Sequence, residues 1–216
     1  SVSGYIFPLV HGLLGIDVDA LNSKIIFAPK LPADWKFLKV HNVKVGTTIV
    51  NLDLLNENGK MELAAKKISG ENVQIEFSPD LPLGTEIKSL VVNGNSANPD
   101  VFHHKNAEQL RITLDLQSET SAILMYNPAA AIYLFENAAS IGAVNEGLKI
   151  VSQELNGKVL SIYCEGKPNK NYELGIMNYE TIKSINGAEL KNGKLYLNIP
   201  GKGDEFVKHE ITIVLN

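Results

Sequence analysis

Thr48-Ile49-Val50-Asn51-Leu52-Asp53-Leu54 alternates apolar and polar residues; Asn58-Gly59 follows, and Lys60-Met61-Glu62-Leu63-Ala64-Ala65-Lys66-Lys67 resumes the pattern. Successive side chains of an extended strand point to opposite faces, so this period of two gives each run one apolar face. Asn-Gly between two such runs supplies the positive φ values that a tight hairpin turn demands. The stretch therefore reads as a β-hairpin with one face buried. The same rhythm recurs outward from it, at residues 24–27, 37–45, 72–77, 86–92, 109–116 and 121–126. In the second half it recurs at 131–135, 148–154, 158–164, 171–177, 181–185, 194–199 and 210–215. Ser69-Gly70, Pro82-Leu83-Gly84, Asn93-Gly94, Asn156-Gly157, Asn186-Gly187 and Asn192-Gly193 punctuate the runs as turns.

Strands at this spacing with no helical pattern between them predict an all-β fold, an antiparallel β-sandwich. Two consecutive β units are expected, at 23–126 and 148–216, joined by an alanine-rich connection at 127–147. Residues 1–22 are expected to form an apolar arm. There Ile6, Leu9, Val10, Leu13 and Leu14 follow the spacing of a helix face, with Pro8 tolerable only in a first turn. A short helix or irregular arm is predicted, with any helix lying mainly before Asp19. The halves also share phrases. Residues 69–77 parallel 156–163, and Glu86-Ile87-Lys88-Ser89 before Asn93-Gly94 parallels Thr181-Ile182-Lys183-Ser184 before Asn186-Gly187.

Composition excludes several classes of function. The net charge of -4 and the single arginine, Arg111, leave no basic stripe for nucleic acid. No apolar run approaches the roughly 18 residues of a membrane span. With 44% hydrophobic residues the chain can build a core without covalent staples. The single cysteine, Cys164, lies in the strand pattern Leu160-Ser161-Ile162-Tyr163-Cys164 and reads as a buried, inert thiol. Ser1 in first place, with no targeting segment, is read as the start of a processed or truncated product. A periplasmic or extracellular setting is favoured over a cytoplasmic one.

Candidate chemical groups are sparse. A glycosidase needs two carboxyls about 5–9.5 Å apart, one with a raised pKa. Asp17 and Asp19, Asp34, Asp53, Glu76 and Asp80, and Asp204 and Glu205 are the candidates, and no sequence setting marks any of them. His103-His104, adjacent in sequence, would point to opposite faces of a strand and is expected on a surface loop. No metal-ligand spacing, nucleophile elbow or phosphate loop occurs, so no cofactor or metal is implied. Tyr163, Tyr172, Tyr179 and Tyr196 gather in the second half. Of these, Tyr172 and Tyr179 flank turn-like segments and are the expected sugar-stacking residues.

Gly12-Leu13-Leu14-Gly15-Ile16-Asp17-Val18-Asp19-Ala20 leads into Ala28-Pro29-Lys30-Leu31-Pro32-Ala33-Asp34-Trp35 and then Val40-His41-Asn42-Val43-Lys44-Val45-Gly46. This order resembles the junction that follows the catalytic barrel in bacterial six-hairpin glycosidases, including the glycogen-debranching-like group. The close match covers residues 12–46; beyond it the likeness is one of rhythm. The resemblance implies that the catalytic barrel, with its general acid and base, lies upstream, and that no catalytic residue transfers to this chain. It further implies a non-catalytic C-terminal accessory domain of a glycoside hydrolase, with the barrel as partner. Tyr5, Phe7, Leu9, Leu13 and Trp35 are the expected docking residues, and when the barrel is absent the arm is expected either to fold back or to self-associate. The alternatives are an autonomous carbohydrate-binding module and a partner-binding sandwich with an open sheet edge.

Overall fold

The computed structural model describes residues 6–57, 59–104, 106–135, 142 and 144–216. Strands account for 62% of the described residues and helical turns for 5%, as an all-β reading requires. Two compact units emerge: Ser1–Leu81 with Thr85–Pro128, and Pro82–Gly84 with Ala129–Asn216.

The strands of the first unit are β1 (Ile16–Asp19), β2 (Lys24–Phe27), β3 (Phe37–Val45), β4 (Thr48–Glu57), β5 (Lys60–Ser69) and β6 (Val73–Phe77). They continue with β7 (Asp80–Leu81), β8 (Glu86–Val92), β9 (Asn95–Ala97), β10 (Asp100–His103), β11 (Glu108–Leu116) and β12 (Glu119–Asn127). One sheet has the order β1-β2-β6-β11-β10, with β7 also on β11; the other runs β3-β4-β5-β12-β8-β9. All pairings are antiparallel except β2 with β6. The alternation seen in the sequence sends Val50, Leu52 and Leu54 inward from β4, and Met61, Leu63 and Ala65 from β5. They meet Ile25, Phe27, Ile75, Phe77 and Leu114 of the opposing sheet in one core, where Phe27 and Phe77 stack with centroids 5.7 Å apart. Two sheets sharing one core make a sandwich. Gly70 shows why the β5–β6 turn needs glycine. Its φ is +92°, and a Cβ there would lie 2.4 Å from Cα of Thr48.

The second unit contains β13 (Ala131–Leu134), β14 (Lys149–Asn156), β15 (Val159–Gly166), β16 (Asn171–Met177), β17 (Ile182–Asn186), β18 (Glu189–Lys191), β19 (Lys194–Asn198) and β20 (Val207–Leu215). Its sheets run β13-β16-β19-β18 and β14-β15-β20-β17. They enclose Leu160, Ile162, Leu174, Leu195, Leu197, Ile211 and Ile213, and Leu83 belongs to this core.

The two units share a topology. Strands β2, β4, β5, β6, β8, β10, β11 and β12 correspond, in chain order, to β13 through β20. The neighbour orders β2-β6-β11-β10 and β4-β5-β12-β8 map onto β13-β16-β19-β18 and β14-β15-β20-β17. The match reaches single residues. In β8 the register with β12 skips Lys88, between Ile87 opposite Tyr126 and Ser89 opposite Met125. In β17 the register with β20 skips Lys183, between Ile182 opposite Leu215 and Ser184 opposite Val214. The repeated phrase Ile-Lys-Ser is thus the same β-bulge in both units. The other parallel noted in the sequence does not correspond in this way. Residues 69–77 lead into β6, whereas 156–163 lead into β15, the counterpart of β5. The edge pairing also differs, since β13 meets β16 antiparallel.

Several boundaries shift from those read in the sequence. The arm ends at Gly15 rather than at residue 22, because Ile16–Asp19 already pairs with β2. β13 lies in the second unit rather than in a connection. In place of a regular helix, the arm forms one wide turn over Pro8–Leu13, closed by the Leu14 N–H donating to the Leu9 carbonyl five residues back at 2.9 Å. No helix among the described residues is long and apolar enough to cross a membrane.

Candidate functional site

The outward residues of the β3-β4-β5-β12-β8-β9 sheet form a grid fixed by strand register. One row reads Phe37, Leu55, Glu62, Ile123 and Val91 across β3, β4, β5, β12 and β8. The next reads Lys39, Asp53, Ala64 and Ser121, and a third brings Asn51, Lys66 and Glu119 into line. Ala64 and Ser121 are the small members of this grid. Where they sit side by side, the sheet surface sinks into a depression of about 390 Å3, open to solvent and lined by Asn51, Asp53, Ala64, Lys66, Asn93, Glu119 and Ser121. That is at the lower end of the roughly 300–1,000 Å3 usual for small-molecule sites.

The walls are partly fixed and partly free. Asn93, at φ +49° in the turn after β8, pairs its amide with the Thr120 hydroxyl at 3.0 Å and accepts the Ser121 N–H at 2.8 Å. Asn51 Oδ1 accepts the Asn42 N–H at 2.9 Å, which leaves its amide nitrogen without a partner among the described residues. Asp53 Oδ1 lies 3.7 Å from Nε2 of His41. Lys66 and Glu119 pair at 2.8 Å, and that hydrogen bond holds the Glu119 carboxyl below its ordinary pKa and the Lys66 ammonium above its own. Of these residues, sequence reasoning had singled out only Asp53, as one carboxyl among many. The others become neighbours only through the register of three strands.

The expected stacking residues separate. Tyr172 is 9% exposed and sits in the second core; its hydroxyl accepts the Lys167 N–H and donates to the Glu146 carbonyl. Its ring offers no face to a sugar, because alternation along β16 turns it inward with Leu174. Tyr179 is 49% exposed in a single turn before β17, with its ring edge against Gly193. Tyr163 and Tyr196 stand on opposite outer faces of the second sandwich, so the tyrosines form no common platform. Tyr133, not singled out in the sequence, lies over Gly175, where any Cβ would come within 2.1 Å of its Cζ.

Of the expected docking residues, Tyr5 lies outside the described residues. Phe7 and Leu9 are 66% and 48% exposed, as is their neighbour Ile6 at 54%, whereas Val10 and Leu14 pack against the first core. Phe7 is in contact with the His11 ring, 4.2 Å between centroids. Leu13 is half-buried, and its carbonyl accepts the Lys30 N–H at 2.9 Å. Trp35 is half-buried after a turn in which its N–H donates to the Pro32 carbonyl at 3.0 Å.

The remaining candidates have local roles. Glu76 pairs with Lys24 at 2.5 Å and lies 3.5 Å from Nε of Arg111. Asp17 accepts the Val18 N–H, and Asp19 holds Asn22 in the hairpin turn. His103 closes β10, rather than lying on a loop, and pairs with Glu108; His104 reaches Oε1 of Gln109 at 3.1 Å. Asp80 is the one carboxyl among the described residues whose pKa is pushed up, by burial, but it lies on β7 in the opposite sheet from the depression. No cluster of three or more His, Cys, Asp or Glu suited to a metal ion occurs among the described residues. Compared with known proteins, the chain matches no family model, and no curated protein matches it.

Proposed function

We propose that this chain is a non-catalytic accessory module of a carbohydrate-degrading protein, docking through its N-terminal arm onto a six-hairpin catalytic barrel. The observation that carries this reading is the two-sided arm. Val10 and Leu14 anchor it to the first core, while Ile6, Phe7 and Leu9 turn large apolar surface to solvent. At roughly 25 cal/mol per Å2 of apolar area, covering three such side chains stabilises a complex by several kcal/mol. The resemblance of residues 12–46 to a barrel–sandwich junction supports a helical barrel as the partner. Without it, the same surface favours a second copy of the chain.

Sedimentation velocity tests this over about 5–200 µM, since association follows mass action. The chain is expected to self-associate, and a Phe7→Ser/Leu9→Ser double variant to remain monomeric with an unchanged far-UV circular dichroism spectrum. A chain that is monomeric throughout, or a double variant that loses its sheet signal, would contradict a docking role for the arm.

A further inference from the structure

We infer that the depression on the first sandwich is a binding site for a neutral, polyhydroxylated ligand, one unit of a saccharide. The second sandwich provides an internal comparison. Aligned on the shared bulge, Ser121 of β12 corresponds to Glu210 of β20. Ala64, opposite Ser121, corresponds to Tyr163, opposite Glu210. Lys66 opposite Glu119 becomes Glu165 opposite Lys208, the same charge pair reversed. The same sheet position thus carries a tyrosine and a glutamate in one unit and an alanine and a serine in the other. A large outward pair is compatible with this fold, so folding does not require the small pair that opens the depression.

The lining selects the ligand class. Asp53 and Glu119 accept hydrogen bonds, the free amide nitrogen of Asn51 and the Lys66 ammonium donate, and the Ser121 hydroxyl does either. Hydroxyl groups, which donate and accept at once, match this mixture. Two carboxylates against one ammonium disfavour an anion. The Ala64 methyl gives an apolar floor for the C–H face of a sugar ring. An opening this wide suits one exposed residue of a longer chain better than an enclosed metabolite. The inference leans on the accessory reading only for the choice of saccharide among polyols. The arm and the depression answer to different variants, so either can fail alone.

The test is a 1H–15N NMR titration of the whole chain with gluco-, galacto-, manno- and xylo-configured trisaccharides, and separately with inorganic phosphate. Ligand is raised to about 10 mM, because an open site of this kind binds weakly. At least one trisaccharide is expected to shift the amides of Ala64, Lys66, Asn93 and Ser121 in a saturable way. Ala64→Tyr, which installs the second unit's side chain, is expected to weaken that binding at least tenfold. Asn51→Ala, which also removes the acceptor of the Asn42 N–H and is therefore checked for an unchanged far-UV circular dichroism spectrum, provides a second reading of the same site and is expected to weaken binding as well. The inference is overturned if no trisaccharide shifts these amides, if phosphate shifts them more strongly, or if both variants bind like the unaltered chain.

Discussion

Cys164 shows how a single residue's chemistry follows from its strand position. It faces inward from β15, its Sγ is 3.4 Å from the His209 carbonyl, and burial pushes its thiol from an ordinary pKa of 9.0 up to about 11. As pH rises, the unfolded chain releases this proton before the folded one does. Stability from this group is therefore intact below about pH 9 and is lost on the way to about pH 11. Urea midpoints should fall over that window, and a Cys164→Ala variant should lack this part of the decline. Iodoacetamide at pH 8 should leave the folded chain unlabelled and label it fully in denaturant; rapid labelling of the folded chain would contradict the inert thiol. That environment was legible in the sequence because alternation alone turns Cys164 the same way as Leu160 and Ile162. Tyr172 was misjudged for the same reason. Its neighbouring turn suggested exposure, while its place in phase with Leu174 put it inside.

At the scale of elements, long alternating strands were legible and, β13 excepted, short edge strands were not. β3, β8 and β16 fall at the positions the period of two assigns, whereas β7, β9, β10 and β18 went unread. A strand of two to four residues at a sheet edge contains too few alternations to distinguish it from a turn, and its existence depends on the partner it meets. β1 was hidden likewise inside an apolar arm. The bulge at Lys88 and Lys183 left a trace, the repeated Ile-Lys-Ser phrase, but only the register revealed that the phrases are equivalent. Equivalence carries an energetic expectation. Leu63 and Ile162 occupy corresponding central positions, each 0% exposed. Leu63→Ala and Ile162→Ala should each cost about 2–5 kcal/mol in urea unfolding, with hydrogen-exchange protection lost first in the unit that carries the change. A cost below about 1 kcal/mol at either site would mean that the position is not part of a close-packed core.

Across the whole molecule, one sandwich plan is used twice, in a plain form and in a form extended by β1, β3, β7 and β9. The extension matters to the site. β3 adds a strand beyond β4, so the depression lies within the sheet rather than at its margin, with Lys39 and His41 beyond Asp53. The depression was not legible in the sequence, since a surface hollow is a product of cross-strand register and side-chain size together. The hydrogen bond from Lys66 holds the Glu119 carboxyl below its ordinary pKa, which disfavours the protonated form a general acid needs, and Asp80, the one carboxyl among the described residues whose pKa is raised, stands on the opposite sheet. We propose a binding and docking module rather than a stand-alone enzyme. The most direct test is a hydrolysis assay of the whole chain on α-glucans and aryl glycosides at neutral pH, alongside Asp53→Asn and Glu119→Gln. No turnover above buffer is expected from any of the three proteins; turnover by the unaltered chain that either substitution abolishes would contradict a non-catalytic module.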